Sequence, residues 1–250
     1  MREIEEVRAY YSKILPYFER EIAARKDIPF WEGLARRWKP RRILEIGCGT
    51  GRVTRALSKS APAVGIDVSF DLLRRARAGA GAKGRTSFLA ADFRSAVFAR
   101  RFDLIVAPSD PICHLSRPGH RRRALTAVAR QLLPGGRFVL DALVRRESGP
   151  VSFERVLRDR RGQLRIREDW EPAGERNLWR GTYTYEVPGR RRGQAPTRAT
   201  FLARAWDPAT IAALFSSCGL EVETVWGSYS RGPWSPSSRR LLVVARPASR

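Results

Sequence analysis

An α/β fold, in which a mostly parallel sheet carries helices on both faces, is predicted by two features of this 250-residue sequence. Short apolar segments that resemble strands alternate with helix-like segments as far as Leu140. The first apolar segment ends in a run with glycine at positions 47, 49 and 51, and a helix-like segment begins at Arg52. Strand, glycine turn and helix in this order predict a pocket in which backbone N–H groups and a helix N-terminus hold part of a nucleoside-containing ligand.

The spacing of the glycines separates two classes of nucleoside ligand. The dinucleotide fingerprint G-x-G-x-x-G requires glycine at position 52, where this chain has Arg52, so NAD and FAD are disfavoured. A second apolar segment ends in Asp67, 20 residues after Gly47, where a carboxylate meets ribose hydroxyls in such folds. A third segment ends at Asp92, and a fourth leads into the loop that carries His114. In a parallel sheet these strand ends converge on one cleft.

Five segments in order resemble the motif series of the class I S-adenosylmethionine (SAM)-dependent methyltransferases. They are Leu-Glu-Ile-Gly-Cys-Gly-Thr-Gly at 44–51, Gly-Ile-Asp-Val-Ser at 65–69, Ala-Asp-Phe at 91–93, Phe-Asp-Leu-Ile at 102–105 and Leu-Pro-Gly-Gly-Arg-Phe-Val-Leu at 133–140. The flanking segments are similar to bacterial small-molecule methyltransferases, including sugar-amine and glycine N-methyltransferase-like members. The resemblance covers nearly the whole chain and implies a Rossmann-like, seven-stranded, mostly parallel sheet.

The resemblance also implies the cofactor, SAM, with S-adenosylhomocysteine as product, and the residues that hold it. Glu45 would lie near the methionine ammonium, Asp67 would accept hydrogen bonds from the ribose hydroxyls, and Asp92 would accept one from the adenine amino group. The alternative for the two aspartates is an ordinary role as strand-end caps. The implied cofactor-binding residues are Glu45, Gly47, Cys48, Gly49, Gly51, Asp67, Val68, Asp92, Phe93 and Ala107.

His114 and Tyr11 are the candidate catalytic residues. His114 follows the fourth strand, where the acceptor approaches, and a neutral imidazole with an ordinary pKa near ~6.5 can take the departing proton of an amine or hydroxyl. A structural role in holding the loop is an equally weighted alternative. Tyr11 lies in the helical segment that precedes the first strand, where a core or surface role is the alternative. His120 is expected to be a solvated residue at a helix start.

The pattern along the chain predicts four segments. They are a helical lid at 1–40, a SAM-binding core at 41–145, an inserted antiparallel sheet at 146–206 that serves as substrate cap or interface, and a helix with two strands at 207–250 that completes the core sheet. A helix break is predicted at Pro16, and Asp27 and Asp207 are predicted helix caps. The inserted aromatic residues wall a substrate pocket or, as the favoured interpretation, pack the inserted sheet onto the core. They are Trp179, Tyr183 and Tyr185.

Charge and cysteine usage narrow the function classes. The net charge of +23 argues for a polyanionic partner. The excess is almost all arginine spread along the chain, which is typical of a GC-rich genome, so nucleic-acid binding is the less favoured interpretation. The cysteines, Cys48, Cys113 and Cys218, form no C-x-x-C pair, so no disulfide or metal site is expected. No segment resembles a membrane span or signal peptide, which predicts a cytoplasmic protein.

The sequence therefore predicts an enzyme that transfers a methyl group from SAM to a nitrogen or oxygen of a small-molecule acceptor. Loop arginines such as Arg231 and Arg239 would suit an apolar or carboxylate-bearing acceptor. A methyltransferase of RNA, DNA or protein is the first alternative, but residues 107–113 lack the Asn/Asp-Pro-Pro-aromatic and Pro-Cys motifs of base methyltransferases. A SAM-binding protein without catalysis is the second. The aromatic inserted sheet is a candidate homodimer interface.

Overall fold

The structure, a computed structural model, describes residues 2–79, 85–145, 147–188, 195–238 and 240–248. The helices are α1 (Arg2–Ala23), α2 (Ile28–Trp38), α3 (Arg52–Leu57), α4 (Phe70–Ala78), α5 (Pro118–Gln131) and α6 (Ile211–Ser216). The strands are β1 (Ile43–Ile46), β2 (Ala63–Asp67), β3 (Thr86–Ala90), β4 (Phe102–Ala107), β5 (Leu132–Ala142), β6 (Val151–Asp159), β7 (Gly162–Pro172), β8 (Leu178–Glu186), β9 (Thr197–Arg204), β10 (Leu220–Trp226) and β11 (Leu241–Pro247).

The core sheet has seven strands in the order β10-β11-β5-β4-β1-β2-β3. The strands from β5 to β3 in that order run parallel, and β11 pairs antiparallel with both β5 and β10. All residues of β1 are buried, as expected for a parallel strand covered on both faces. The predicted fold class is confirmed. The strand order reverses between β1 and β4, and ligands bind at the carboxyl ends of strands beside such a reversal.

The second sheet is an antiparallel meander in the order β6-β7-β8-β9, which confirms the predicted insertion. Along β7, Leu164, Ile166 and Trp170 are buried, because alternate residues of a strand point to the same face. That face packs against α1, where Tyr10 and Ile14 join the same cluster as Ile166. The helix is therefore held between the two sheets. The division of the chain into four segments and a homodimer through this sheet stay predictions.

The predicted helix break at Pro16 is wrong, because α1 continues without interruption from Arg2 to Ala23. A proline inside a helix removes one backbone hydrogen bond at a cost of roughly 3 kcal/mol. Both halves of the helix compensate by packing on the second sheet. Ile14 lies before the proline and Tyr17 after it, and both belong to the buried cluster formed with that sheet. Tertiary packing thus outweighs the local preference for a break.

The two aspartates predicted to cap helices serve other purposes. Asp27 immediately precedes α2, but its side chain makes no capping hydrogen bond. The carboxylate instead pairs with Arg52 at 2.7 Å and accepts a hydrogen bond from Trp31 Nε1 at 2.9 Å. Asp207 lies in a turn, and α6 begins only at Ile211. A buried carboxylate gains more from a cation than from a cap, which explains the first difference. Of the helices in the described part of the chain, none is long and apolar enough to cross a membrane.

Candidate active site

Three cavities meet beneath α1 at the reversal of the strand order. The glycine-loop cavity, about 620 Å³, lies at the carboxyl ends of β1, β2 and β3. The Glu45 cavity, about 580 Å³, adjoins it beside β1. The inter-sheet cavity, about 1260 Å³, lies between the core sheet and the second sheet. Tyr11 and Phe18 of α1 line all three, so the helix forms a common wall.

The loop after β1 needs glycine where it lines the glycine-loop cavity. Gly47 has a φ of 66°, a conformation that L side chains rarely adopt, and a Cβ there would overlap Pro111 Cβ and lie 2.9 Å from Pro111 Cγ. Gly49 has a φ of 55°, and its N–H donates to Asp67 Oδ2 at 2.8 Å. Asp67 Oδ1 accepts from the N–H of Ser69 at 2.8 Å. The carboxylate thus fastens the glycine loop while it faces the cavity.

The predicted adenine end of this cavity is formed by Asp92 and Phe93, which follow β3. Arg94 Nε donates to both carboxylate oxygens of Asp92, at 3.0 and 2.9 Å. Burial alone would raise the pKa of Asp92, but these hydrogen bonds hold it below the ordinary value. Arg94 also pairs with Glu3 at 3.0 Å, and His120 Nδ1 lies 2.7 Å from the same carboxylate oxygen. His120 is therefore not the solvated residue that was predicted, because α1 brings Glu3 against it.

Four of the implied cofactor residues differ in where they lie. Val68 lines the glycine-loop cavity, and its carbonyl accepts a hydrogen bond from Arg8 of α1 at 2.8 Å. Cys48 lines the Glu45 cavity. Gly51 and Ala107 line neither of these two cavities. Gly51 immediately precedes α3, where a Cβ would overlap the ring of Phe88, and Ala107 is fully buried in β4. The structure thus places these two in the packing around the site.

Glu45 supplies a buried carboxyl group at the Glu45 cavity. One oxygen, Oε2, accepts a hydrogen bond from the hydroxyl of Thr54. Burial raises the pKa of Glu45 to about 8, although Thr54 and the nearby Arg52 act in the opposite direction. A buried carboxyl group of this kind is protonated in the free protein. It suits the ammonium of an amino-acid moiety, because an adjacent ammonium favours the ionised form of the carboxyl group.

The raised pKa predicts that SAM binding releases a proton. At about pH 5.5 to 7 Glu45 is protonated in the free protein, and an adjacent ammonium ionises it, so the SAM Kd should fall about tenfold per pH unit as the pH rises. Isothermal titration calorimetry in buffers of different ionisation enthalpy measures both the Kd and the released proton. Glu45→Gln should abolish the slope. A pH-independent Kd in the unmodified protein would contradict the assignment.

Tyr11 and His114 lie side by side where the glycine-loop cavity meets the inter-sheet cavity. Tyr11 Oη is 3.0 Å from His114 Nε2. His114 Nδ1 is buried and has no hydrogen-bond partner among the residues that the structure describes. Burial lowers the pKa of His114 to about 4, against an opposing effect of Glu3, and burial raises the pKa of Tyr11. At neutral pH the imidazole is therefore neutral and the phenol is protonated.

The position of His114 is fixed by Asp110, which precedes the single 3₁₀ turn at Pro111–His114. The Asp110 carboxylate accepts hydrogen bonds from the N–H of Cys113 at 3.0 Å, from the N–H of Leu143 at 2.7 Å and from Trp206 Nε1 at 2.7 Å. Burial raises the pKa of Asp110 to about 6, although Arg121 and the hydrogen bonds lower it. This buried acceptor ties the loop after β4 to the chain beyond β5. Sequence analysis did not single it out for that purpose.

The inter-sheet cavity is lined by charged and aromatic side chains. Its guanidinium groups belong to Arg25, Arg145, Arg155 and Arg240, and its glutamates and principal aromatic residues are Glu21, Glu168, Tyr10, Trp170, Tyr183 and Phe201. Tyr183 donates a hydrogen bond to Glu168 Oε2 at 2.8 Å. Of the inserted aromatic residues considered as a pocket wall, Tyr183 lines the cavity, whereas Trp179 and Tyr185 are buried in packing. Arg231 does not line it, and Arg239 lies outside the described residues.

The predicted helical lid did not specify which of its residues line the cavity. Ile4 and Val7 of α1 line the glycine-loop cavity together with Tyr11, and only Tyr11 was a candidate from the sequence. Their helical spacing shows that one face of the helix is covered, but it does not tell whether a ligand or another element covers it. Arg145 and Glu168 of the inter-sheet cavity were missed for a different reason. Both lie among many charged residues, and only the fold distinguishes those that turn inward.

Comparisons with known proteins agree with this geometry. The sequence model of the methyltransferase domain family matches residues 43–136. The cypemycin N-terminal methyltransferase of a Streptomyces species is 27% identical over 226 residues, which cover 86% of each protein. The trans-aconitate 2-methyltransferase of Streptomyces avermitilis is 40% identical over 103 residues, 39% of this chain and 37% of that one. The CcbJ methyltransferase of Streptomyces caelestis has the same fold, with a TM-score of 0.79 at 20% identity over 90% of this chain and 91% of that one.

The site fits SAM on observations of this structure. Gly47 leaves no room for a side chain, Glu45 is a buried carboxyl group whose pKa burial raises, and Asp67 and Asp92 face the cavity from successive strand ends. The matched domain spans these residues. The match of residues 43–136 to the methyltransferase domain family, the seven-stranded sheet and the cavity at its strand reversal together indicate a SAM-dependent methyltransferase with the class I fold, with SAM as its cofactor.

Proposed function

We propose that this enzyme methylates the nitrogen of a small-molecule amine. The observation that carries the proposal is the pair formed by His114 and Tyr11, which separates the glycine-loop cavity from the inter-sheet cavity. The methyl donor occupies the glycine-loop cavity and the adjoining Glu45 cavity, and the acceptor occupies the inter-sheet cavity. Methyl transfer then takes place beside the imidazole.

The ionisation of this pair favours nitrogen over a hydroxyl oxygen. A neutral alcohol must lose its proton to become a strong nucleophile, and a base is most effective when its pKa is near the working pH. The pKa of His114 is about 4, and Tyr11 stays protonated, so neither is a strong base at neutral pH. A neutral amine already carries the lone pair that attacks the methyl group. An amine therefore suits this site better than an alcohol does.

His114 has two tasks in this mechanism. In the tautomer in which Nε2–H donates to Tyr11 Oη, the lone pair of the unpartnered Nδ1 accepts an N–H hydrogen bond from the amine. This contact aims the nitrogen lone pair at the methyl group, and the methylated product leaves as its ammonium. SAM supplies a methyl group already activated on a sulfonium when it is bound. A neutral imidazole avoids repelling that positive charge, so the lowered pKa also protects cofactor binding.

A carboxylate oxygen is the second candidate acceptor. It needs no base, and two partial relatives, by their names, are a trans-aconitate methyltransferase and a malonyl-[acyl-carrier protein] O-methyltransferase. By its name, the relative that aligns over most of the chain acts at an N-terminus, which is an amine. Two solved structures of the same fold are described as a sugar N-methyltransferase and a glycopeptide N-methyltransferase, and a third as an amino pentose methyltransferase. These descriptions support nitrogen as the first choice.

The proposal is tested with methyl-tritiated SAM and the lysate of a GC-rich bacterium. The purified protein is incubated with whole lysate, with desalted lysate, and with a small-molecule pool whose amines have been acetylated. Heat-inactivated protein is the control. We expect label that requires the small-molecule fraction, resists alkali and disappears when the amines are capped. Label released by alkali as methanol would assign a carboxylate oxygen instead. Label in nuclease-sensitive or protease-sensitive polymer would overturn the proposal and make the +23 charge the functional clue.

A further inference from the structure

The guanidinium groups of the inter-sheet cavity are not equivalent. Arg155 pairs with Glu21 at 2.7 Å and with Glu168 at 2.8 Å. Arg240 pairs with Asp141 at 2.9 Å, and Arg25 donates to the hydroxyl of Ser109. No carboxylate among the residues that the structure describes pairs with Arg145, and its buried Nε has no hydrogen-bond partner. Among the described residues, Arg25 and Arg145 are the guanidinium groups of this cavity that form no ion pair, and of the two only Arg145 has a buried Nε without a hydrogen-bond partner.

The orientation of Arg145 is nevertheless fixed. Its guanidinium lies over the ring of Trp170, 3.8 Å from the ring centroid. Trp170 is itself buried in β7, where its indole N–H lies 3.5 Å from Glu168 Oε2. The N–H donors of a guanidinium lie in the plane of the group, so a guanidinium that stacks on an indole ring directs them past the edge of that ring. Such a fork matches the planar, two-oxygen geometry of a carboxylate.

The charge around the cavity selects a singly charged anion. Burial lowers the pKa of Arg145, although Glu147, Tyr183 and Glu168 act in the opposite direction. A desolvated cation of this kind gains from an anionic ligand. The cavity also contains the carboxylates of Glu21 and Glu168, which would repel a phosphate dianion more strongly than a carboxylate. The Arg145 guanidinium beside these carboxylates therefore fits a carboxylate better than a phosphate.

We infer that Arg145 binds a carboxylate of the acceptor, so that the substrate class is an amine that also carries a carboxylate, as amino acids do. The inference rests on the proposed function and deepens it. The carboxylate lies against the guanidinium on Trp170, the amine nitrogen lies beside His114, and the carbon skeleton packs against the aromatic wall of the inter-sheet cavity. Arg145 is a specificity-determining residue in this arrangement, because it selects which amines enter.

The test compares chemically treated small-molecule pools from the same lysate. One pool is esterified with acidic ethanol, which caps carboxylates and leaves amines intact. A second is esterified and then saponified, and a third is treated with phosphatase. Methyl transfer from tritiated SAM is counted only as alkali-stable label, which excludes methyl esters. With the unmodified protein, we expect esterification to lower the label at least about tenfold, as for a lost charge-assisted contact. Saponification should restore the label, and phosphatase treatment should leave it unchanged.

Arg145→Met separates a binding role from a structural one. We expect the variant to label the untreated pool at least about tenfold less than the unmodified protein, and to label untreated and esterified pools equally. A merely structural defect would lower both pools in proportion and keep their ratio. Arg137→Met is the matched control, because Arg137 lies over Trp38 far from the cavity, 5.1 Å from the ring centroid. The Arg137→Met variant should keep the tenfold preference for the untreated pool over the esterified pool.

The outcomes distinguish the two proposals. Equal labelling of the untreated and esterified pools by the unmodified protein overturns the carboxylate inference and leaves amine methylation standing. Loss of label after phosphatase treatment assigns the anion as a phosphate and likewise overturns it. An unchanged preference in Arg145→Met overturns the role of this residue. Absence of label from every small-molecule pool contradicts the proposed function itself, and the inference fails with it.

Discussion

His114→Gln is expected to lower turnover by about a hundredfold while the SAM Kd stays within about threefold, since a misplaced nucleophile costs on the order of 10²-fold in rate. Glutamine keeps a polar side chain of similar length but lacks the basic lone pair of an imidazole. His114 lies where the glycine-loop cavity meets the inter-sheet cavity. Its Nδ1 has no hydrogen-bond partner among the described residues. The loss should therefore fall on the chemical step.

The measurement is single-turnover labelling of the small-molecule pool, alongside SAM titration by calorimetry. Tyr11→Phe removes the hydroxyl that holds His114 at 3.0 Å and should produce a smaller loss of the same kind. Tyr17→Phe is the matched control. Its hydroxyl lies 3.0 Å from the Thr197 hydroxyl, and Tyr17 lines none of the three cavities, so turnover should be unchanged. Equal losses of turnover and SAM affinity in His114→Gln would instead indicate that the histidine only holds the loop.

The pH profile gives an independent check on His114. Its pKa is about 4, below the ordinary value, so the imidazole is neutral at every pH above that range. Lowering the pH through 4 protonates it, removes its acceptor and places a cation beside the sulfonium. We therefore expect the acid limb of turnover that His114 causes to lie near pH 4. A limb near the ordinary histidine pKa of about 6.5 would show that the ring is solvated during the reaction.

Gly47→Ala is expected to have the second large effect, on both stability and cofactor binding. A residue with a side chain loses about 1–2 kcal/mol in the left-handed conformation that Gly47 adopts at a φ of 66°. The new methyl group would also overlap Pro111, whose loop positions His114. The loop after β1 must then shift away from the cavity. We expect the SAM Kd to rise at least about tenfold, which corresponds to about 1.4 kcal/mol.

Gly33→Ala makes the same substitution at a position where we expect it to raise, rather than lower, the free energy of unfolding. Gly33 lies within α2, where a Cβ would have 3.8 Å to its nearest neighbour, a flexible end of Arg36. Alanine in a helix is more stable than glycine by roughly 0.5–1 kcal/mol, and SAM binding should not change. Urea unfolding and SAM titration of both variants measure the contrast. A Gly47→Ala protein as stable as the unmodified one, with unchanged SAM affinity, would contradict the account of the loop.

Local signals in the sequence were sufficient for the core of the fold. Each strand of the parallel sheet is a short, nearly continuous apolar run, and β1 is buried at every position, so its composition and its structure agree. The glycine run at 47–51 predicts a turn because glycine readily adopts positive φ. Two of its cavity-facing residues, Gly47 and Gly49, do so in the structure. Asp67 and Asp92 could be placed on one edge because parallel strands end on the same side. These inferences need only the chain order and the pleat of a strand.

Local signals failed where two contacts compete. The helix signal at Pro16 predicted a break, but packing on the second sheet keeps α1 continuous. Asp27 had the position of a cap, but a buried Arg52 and an indole N–H bind its carboxylate instead. In each case the winning contact comes from a residue distant in sequence or from another element. A pattern within one segment cannot contain that information.

Short motifs at strand ends were enough to predict the cofactor-binding fold and the glycines and aspartates that line the glycine-loop cavity. The surroundings of the inter-sheet cavity follow instead from how distant elements pack together. Tyr11 and His114 are 103 positions apart and meet because α1 packs across the ends of the core strands. The guanidinium of Arg145 lies over Trp170 because the second sheet packs over the loop after β5. Burial lowers the pKa of both His114 and Arg145, and burial is a property of the whole fold.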